Sequence, residues 1–257
     1  MTNLIQVTSI QSSAIKTLVE VLKDVLSDVN VIFDPSGISI TSMDPTSVSL
    51  IQLKLNSEKF EKYYCESRQI LGISMSSLYK LIKSTSNSDS ITFELNSDNT
   101  GELIICIENA DKNSRTTYNL KLLDLNEETL SIPDVDFEFS MSMPSTDFQR
   151  YCRDMQNVSE KVRISIVDND FLNISCDGDF ASQNTVIGET THGLVFKTKS
   201  KDIEYSQLFS LKYINLFTKS TNLSSTIEIS IKNDYPLVLK YSVANLGEIK
   251  FCLAPSH

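Results

Sequence analysis

Residues 217–229 read FTKSTNLSSTIEI, residues 82–93 read IKSTSNSDSITF, and this pair of stretches decides the fold. Both contain Lys-Ser-Thr, continue through a polar turn and end in a run in which apolar and polar residues alternate. Such alternation predicts a strand with one buried face. The chain therefore repeats a helix end, a turn and a strand at an offset of 136 residues (219 minus 83).

The repeat extends over most of the chain. Apolar residues at helical spacing predict four helices, near residues 12–27, 74–84, 145–155 and 207–218. Strands are predicted after each helix, the first as a hairpin, 31–40, around Pro35-Ser-Gly37. The order helix, strands, helix, strands thus occurs twice. We predict two similar domains, residues 1–121 and 137–257, joined by the acidic linker 122–136.

The composition predicts an ordered, soluble, intracellular protein. Of the 257 residues 40% are apolar, only 7 are Gly and 6 are Pro, and no apolar run reaches the roughly 20 residues of a membrane span. The N-terminal residues lack the pattern of a signal peptide. The five cysteines are widely spaced, which favours reduced packing thiols over disulfides or a zinc site.

The net charge of −10 argues against a nucleic-acid ligand, but the basic residues are not evenly distributed. Each predicted helix carries two of them, at spacings of seven or three that return to one helix face. The pairs are Lys16 and Lys23, Lys80 and Lys83, Arg150 and Arg153, and Lys212 and Lys219. On any single helix such a pair is an ordinary solvated face. Their recurrence in all four predicts a basic track that contacts phosphates without reading bases.

Several stretches resemble the proliferating cell nuclear antigen family, the sliding clamps of DNA replication, over essentially the whole chain. They are Gly37-Ile-Ser-Ile-Thr-Ser-Met-Asp44 with Val48-Ser-Leu50, Leu120-Lys-Leu-Leu-Asp-Leu125 with Ile132-Pro133, Met143-Pro-Ser145 with Cys152-Arg-Asp154, Phe217-Thr-Lys219 with Leu223-Ser-Ser-Thr226, and Leu253-Ala-Pro255. The resemblance implies an α+β DNA-clamp fold in which each domain packs two helices on antiparallel sheets. It also implies a homotrimeric ring whose helices line a hole around duplex DNA. The basic pairs fall on the inner-helix positions of the family.

The resemblance implies two further sites. Ring closure pairs the edge strand of one subunit with a different edge strand of the next. The implied interface residues are Thr116, Thr117, Tyr118, Asn119 and Lys121 on one side, and Phe180, Ser182, Asn184 and Val186 on the other. Partner proteins insert a short peptide with an aromatic and aliphatic plug into an apolar pocket. The implied pocket residues are Met43, Val48, Leu50, Leu125, Leu130, Ile132, Pro133, Phe137, Pro236, Ala254 and Pro255.

The partners implied by the resemblance are duplex DNA, further copies of the chain, and DNA polymerase, clamp loader, flap endonuclease and ligase through clamp-interaction peptides. The implied location is the nucleus, or a viral replication site if the source is a virus; no membrane partner and no cofactor is expected. Ser47 and Cys252 stand where the family commonly has a histidine and an aromatic residue, and Asp168 stands in the loop that usually carries a modifiable lysine. The chain also stops without the usual acidic tail. These departures indicate a divergent member.

Two alternatives remain open at the level of sequence. A clamp-like subunit of a hetero-ring, with a checkpoint or transcription role, fits the same fold. A metal-dependent hydrolase would use the pairs Asp168/Asp170 and Asp177/Asp179, which are also typical of turns between strands. With two histidines in the chain, a catalytic triad or a His-based metal centre is not expected, and we predict no enzyme activity.

Overall fold

The computed structural model describes residues 2–126, 130, 135–201 and 203–256. The first half of the described chain contains β1 (Asn3–Ser9), α1 (Ser12–Val25), β2 (Asp28–Asp34), β3 (Gly37–Met43), β4 (Ser49–Asn56), β5 (Lys62–Cys65), β6 (Gln69–Ser74), α2 (Met75–Ile82), β7 (Asp89–Asn96), β8 (Asn99–Asn109) and β9 (Ser114–Lys121). The second half contains β10 (Phe139–Pro144), α3 (Ser145–Gln156), β11 (Lys161–Val167), β12 (Phe171–Asp177), β13 (Ser182–Gly188), β14 (Val195–Lys199), β15 (Tyr205–Ser210), α4 (Leu211–Phe217), β16 (Thr226–Ile231), β17 (Leu237–Val243) and β18 (Gly247–Leu253).

The two halves have the same order of elements. In each, one strand precedes the first helix, five strands separate the two helices and three strands follow the second helix. The predicted duplication and the α+β class are therefore confirmed. The strands predicted in the two quoted stretches are present. They are β7, which follows α2 after a polar turn, and β16, which follows α4 after a polar turn.

The prediction for the fourth helix was wrong at its start. Residues 207–210 belong to β15, which pairs antiparallel with β11, and α4 begins only at Leu211. The apolar residues Leu208, Phe209 and Leu211 fit a strand as well as a helix, so periodicity alone could not separate them. Neither Lys219 nor Lys83 lies inside an α-helix. Lys219 lies in a short 3-10 helix, Thr218–Asn222, and Lys83 is the C-terminal cap of α2.

The first compact unit comprises residues 1–45, 51–130 and 242–249. Its first sheet has the order β5-β1-β7-β8-β9. Four further strands of this unit are neighbours in the order β4-β3-β2-β6. Helices α1 and α2 pack side by side and bury one face of each, including Leu18, Leu22 and Leu78. Alternating burial along β7 shows that one face of its sheet forms the core.

The second compact unit comprises residues 46–50, 131–241 and 250–257. It repeats the plan with the sheet β13-β12-β11-β15 and with β14-β10-β16-β17. Helices α3 and α4 pack side by side and bury Phe148, Met155 and Phe217 completely. The five cysteines are buried and free, as predicted. Among the described residues no helix is long and apolar enough to cross a membrane.

Candidate nucleic-acid interface

The four basic residues assigned to the track in the first unit lie on α1 and at the end of α2. Lys80 and Lys83 are exposed. Lys23 is half-buried: its Nζ lies 2.7 Å from Asp24 Oδ1 and 4.7 Å from the centre of the Tyr79 ring. The hydrogen bond to Asp24 raises the pKa of Lys23 above its usual range. Lys23 therefore stays protonated, but part of its charge is balanced on its own helix.

Lys16 ties the two helices of the first unit together. Its Nζ donates a 2.7 Å hydrogen bond to the carbonyl of Thr85, which follows the C-terminal end of α2. At the equivalent place in the second unit, 133 residues later, Gln149 Nε2 donates a 2.8 Å bond to the carbonyl of Thr218, which follows α4. A neutral side chain thus makes the matching bond. We infer that the contribution of Lys16 is the bond itself more than its charge.

We expect Lys16→Gln to keep the stability of the chain within about 0.5 kcal/mol, because glutamine makes the equivalent bond at residue 149. Lys16→Met gives a side chain as long as glutamine but without the donor, and should lower the free energy of unfolding by about 1–2 kcal/mol. Urea unfolding monitored by circular dichroism measures both. Equal losses for the two variants would show that the charge, and not the hydrogen bond, matters.

The four basic residues assigned to the helices of the second unit are all exposed. Arg150 and Arg153 project from α3, Lys212 from α4, and Lys219 from the 3-10 helix that follows. Arg150 lies 3.5 Å from Asp147, but both side chains are well exposed, so the pair contributes little. The four cations are therefore accessible to an anionic ligand in solution.

Tyrosines accompany these cations, a feature that the sequence reasoning missed. The guanidinium of Arg150 lies 4.8 Å from the centre of the Tyr151 ring, and Lys212 Nζ lies 6.0 Å from that of Tyr213. Cation–π contacts of this kind hold a long side chain near one position while leaving it charged. The signal was present in the sequence, since a tyrosine adjoins a basic residue in three of the four helices.

A groove of about 340 Å³ in the first unit joins two of the residues assigned to the partner pocket. Met43 and Leu125 both line it, together with Pro45 and residues 26–30. The start of the linker forms one wall, held by a 3.0 Å hydrogen bond from Asn30 Nδ2 to the carbonyl of Asn126. The groove is open to solvent and combines apolar side chains with polar backbone, as peptide-binding grooves do.

Gly72 explains how the linker begins at that wall. Leu123 N–H donates a 2.8 Å hydrogen bond to the Gly72 carbonyl, and a Cβ on residue 72 would lie 2.2 Å from the Leu123 carbonyl oxygen. Only glycine permits this approach. Leu130 is half-buried. Ile132 and Pro133, also assigned to the pocket, lie outside the described residues.

The remaining pocket residues belong to the second unit and are half-buried there. They are Val48, Leu50, Phe137, Pro236, Ala254 and Pro255. Ala254 N–H donates a 3.0 Å hydrogen bond to the Val48 carbonyl, which brings two of them together. The ring of Phe137 packs edge-on against Tyr235, with centroids 5.7 Å apart. Cys252 is buried, and burial raises the pKa of its thiol to about 11.

The residues assigned to a subunit interface lie at the edges of two sheets. β9 is the last strand of its five-stranded sheet in the first unit, and β13 is the last strand of the four-stranded sheet in the second unit. Leu122 N–H bonds to the Gly101 carbonyl, so by alternation the backbone groups of Thr117 and Asn119 face away from β8. The bond from Gly178 N–H to Ala181 likewise turns the backbone of Ser182, Asn184 and Val186 away from β12. Phe180, two residues before the start of β13, is 78% exposed.

Of the two acidic pairs, Asp168/Asp170 lies in a turn, whereas Asp177 is the last residue of β12 and Asp179 follows that strand. Asp168 and Asn169 have φ values of 51° and 58° in the tight connection between β11 and β12, and Asp170 is paired with Lys199 at 2.8 Å. Within the described ranges no group of three or more His, Cys, Asp or Glu side chains is arranged to hold a metal ion. The geometry gives the hydrolase alternative no support.

Comparison with known proteins agrees with this arrangement. The family model described as "Proliferating cell nuclear antigen, N-terminal domain" matches residues 4–129, and "Proliferating cell nuclear antigen, C-terminal domain" matches residues 131–256. The chain belongs to the proliferating cell nuclear antigen family. A curated relative, "Probable DNA polymerase sliding clamp 1" of Paramecium bursaria Chlorella virus 1, is 38% identical over 256 residues, which cover 98% of this chain and 97% of the relative.

The two family models assign the features described above to two domains. The two family models divide the chain near residue 130, inside the predicted linker. Each proliferating cell nuclear antigen domain thus contains one pair of helices with basic residues, one sheet whose edge carries candidate interface residues and one part of the candidate pocket. The sliding-clamp family acts as a scaffold and not as a catalyst.

Proposed function

We propose that the chain is the subunit of a homotrimeric DNA sliding clamp that encircles duplex DNA and serves as a processivity factor for DNA polymerase. The observation that carries the proposal is the placement of accessible basic side chains on both helix pairs of a chain with a net charge of −10. Uniform negative charge would repel DNA. A local basic surface attracts phosphates while the rest of the protein remains acidic.

The mechanism follows from the weakness of the contacts. Lysine and arginine contacts to phosphates carry no sequence information and are screened by salt, so a duplex is held loosely and at any position. Such contacts allow sliding. A closed ring would supply the retention that affinity does not, since the duplex leaves only through an end or an opened interface.

Ring closure is proposed to pair β9 of one subunit with β13 of the next. Both are edge strands with outward-facing backbone groups, and uncovered edges of this length otherwise favour uncontrolled association. Pairing two different edges makes a head-to-tail interface, which closes into a ring when the rotation between subunits permits. Both domains, 1–121 and 137–257, would contribute one edge each.

Partner proteins are proposed to bind the linker groove and the half-buried apolar residues of the second unit. The probable polymerase clamp among the relatives supports a DNA polymerase as one partner. Clamp loader, flap endonuclease and ligase are proposed through the same clamp-interaction peptides. The proposed site of action is the nucleus or a viral replication site, which the viral relative favours.

Size-exclusion chromatography with light scattering tests the proposal most directly. We expect a species near three times 28.9 kDa, the mass of one chain. A stable monomer that is not retained on circular DNA after loading would refute the homotrimeric clamp. A monomer that becomes a trimer only when mixed with a different clamp subunit would instead support the hetero-ring.

A further inference from the structure

A side chain on α4 contacts a segment that lies 167 residues earlier in the chain. The hydroxyl of Tyr213 and Oγ1 of Thr46 are hydrogen-bonded at 2.5 Å. Thr46 begins the segment 46–50, here called the rim segment, which packs with the second unit although its neighbours in sequence pack with the first. The rim segment contains Val48 and Leu50, two residues assigned to the partner pocket.

The backbone of the rim segment is strained at its centre. Ser47 has a φ of 58°, a left-handed conformation that residues with a Cβ adopt reluctantly. Such a conformation persists when neighbouring contacts determine it. Contacts of this kind lie on both sides of Ser47: Thr46 bonds to Tyr213, and the Val48 carbonyl accepts a 3.0 Å bond from Ala254 N–H. Ser49 is buried.

Tyr213 is a well-supported anchor for this contact. Its ring packs at 6.2 Å, centre to centre, against Phe217. Phe217 is fully buried and stacks at 4.5 Å on Phe251 of β18. Because the ring is fixed in this way, its hydroxyl points at one place. Packing in the core of the second unit therefore sets the position of Thr46 in the rim segment.

We infer that Tyr213 is a positioning residue of the partner site. By holding Thr46 it keeps Ser47 in its left-handed conformation and keeps Val48 half-exposed, ready to contact the apolar plug of a partner peptide. This inference rests on the proposed function. A segment held in its binding conformation before the peptide arrives does not lose conformational entropy on binding, and affinity rises accordingly.

The test measures the dissociation constant of a fluorescein-labelled synthetic peptide that carries an aliphatic residue followed by aromatic residues. Tyr213→Phe removes only the hydroxyl and should weaken binding about fivefold, the effect of one hydrogen bond of ordinary strength. Thr46→Val should weaken binding equally, and the double variant no further, because both remove the same bond. Thr46→Ser, which retains the hydroxyl, should restore binding to within about twofold of the unchanged protein.

Tyr64→Phe provides a matched control, since Tyr64 is an exposed tyrosine on β5 whose hydroxyl lies 3.5 Å from Glu66. It should not alter peptide binding. Thermal unfolding of Thr46→Val, a change at an exposed residue, should match that of the unchanged protein, which separates positioning from folding. If the unchanged protein binds the peptide and Tyr213→Phe and Thr46→Val bind it equally well, the inference is overturned but the proposed partner site is not. Absence of peptide binding by the unchanged protein overturns the proposed partner site and the inference with it.

Discussion

Replacing Asn119 by proline is expected to convert the proposed trimer into a folded monomer. The N–H of Asn119 faces away from β8, so its loss leaves the ladder between β8 and β9 intact. Proline removes that donor and places its ring where a neighbouring strand would approach. Edge strands tolerate proline for this reason, and the monomer should keep its circular dichroism spectrum.

The measurement is light scattering at several protein concentrations, with Asn119→Ala as the matched control. Alanine retains the N–H, so the control should remain trimeric. Tyr118→Pro tests the alternation itself, because by that alternation the Tyr118 N–H bonds to β8 and its loss should destabilise the sheet. If Asn119→Pro remains a trimer, ring closure does not use β9 as proposed.

Reversing the charge of four exposed cations is expected to abolish polymerase stimulation while the trimer survives. The variant combines Lys80→Glu, Arg153→Glu, Lys212→Glu and Lys219→Glu, all at exposed residues of the helix pairs. It changes the charge of each subunit by −8 and replaces attraction to phosphates by repulsion. Stimulation of a polymerase by the loaded clamp on primed circular DNA gives the readout.

A control with the same change in net charge separates a local track from total charge. Lys54, Lys59, Lys62 and Lys201 are exposed and lie outside α1–α4 and the 3-10 helix Thr218–Asn222, so their replacement by glutamate also adds −8. This control should retain most of the stimulation. The salt dependence of DNA retention gives a second readout, since each lost phosphate contact should reduce the slope of log K against log salt by about 0.9. Equal losses in both variants would refute the basic track.

The two variants separate two requirements of a clamp. Asn119→Pro should lose retention on circular DNA because no ring closes, although its basic side chains are unchanged. The charge-reversed variant should close a ring that no longer attracts the duplex. Retention by topology and attraction by charge are therefore expected to fail independently.

The repeated stretches at residues 82–93 and 217–229, together with apolar residues at helical spacing along the chain, predicted two similar units with four helices. Helix and strand periods are local properties of the sequence, and burial of one face enforces them wherever a core forms. The basic pairs could be read for the same reason, since a spacing of three or seven returns to one helix face. At Leu208 and Phe209 the apolar spacing fits a helix as well as a strand. Only the pairing with β11 shows that these residues form a strand.

Contacts between distant residues were decided by the tertiary structure alone. Nothing local in the sequence indicates that Lys16 bonds to the carbonyl of Thr85, or that Tyr213 reaches Thr46. Such contacts depend on how elements far apart in the chain pack, and many side chains of the same type could serve at either end. The sequence therefore determined which elements form and which faces carry charge. The tertiary structure determined which cations are accessible and which contacts hold residues 46–50.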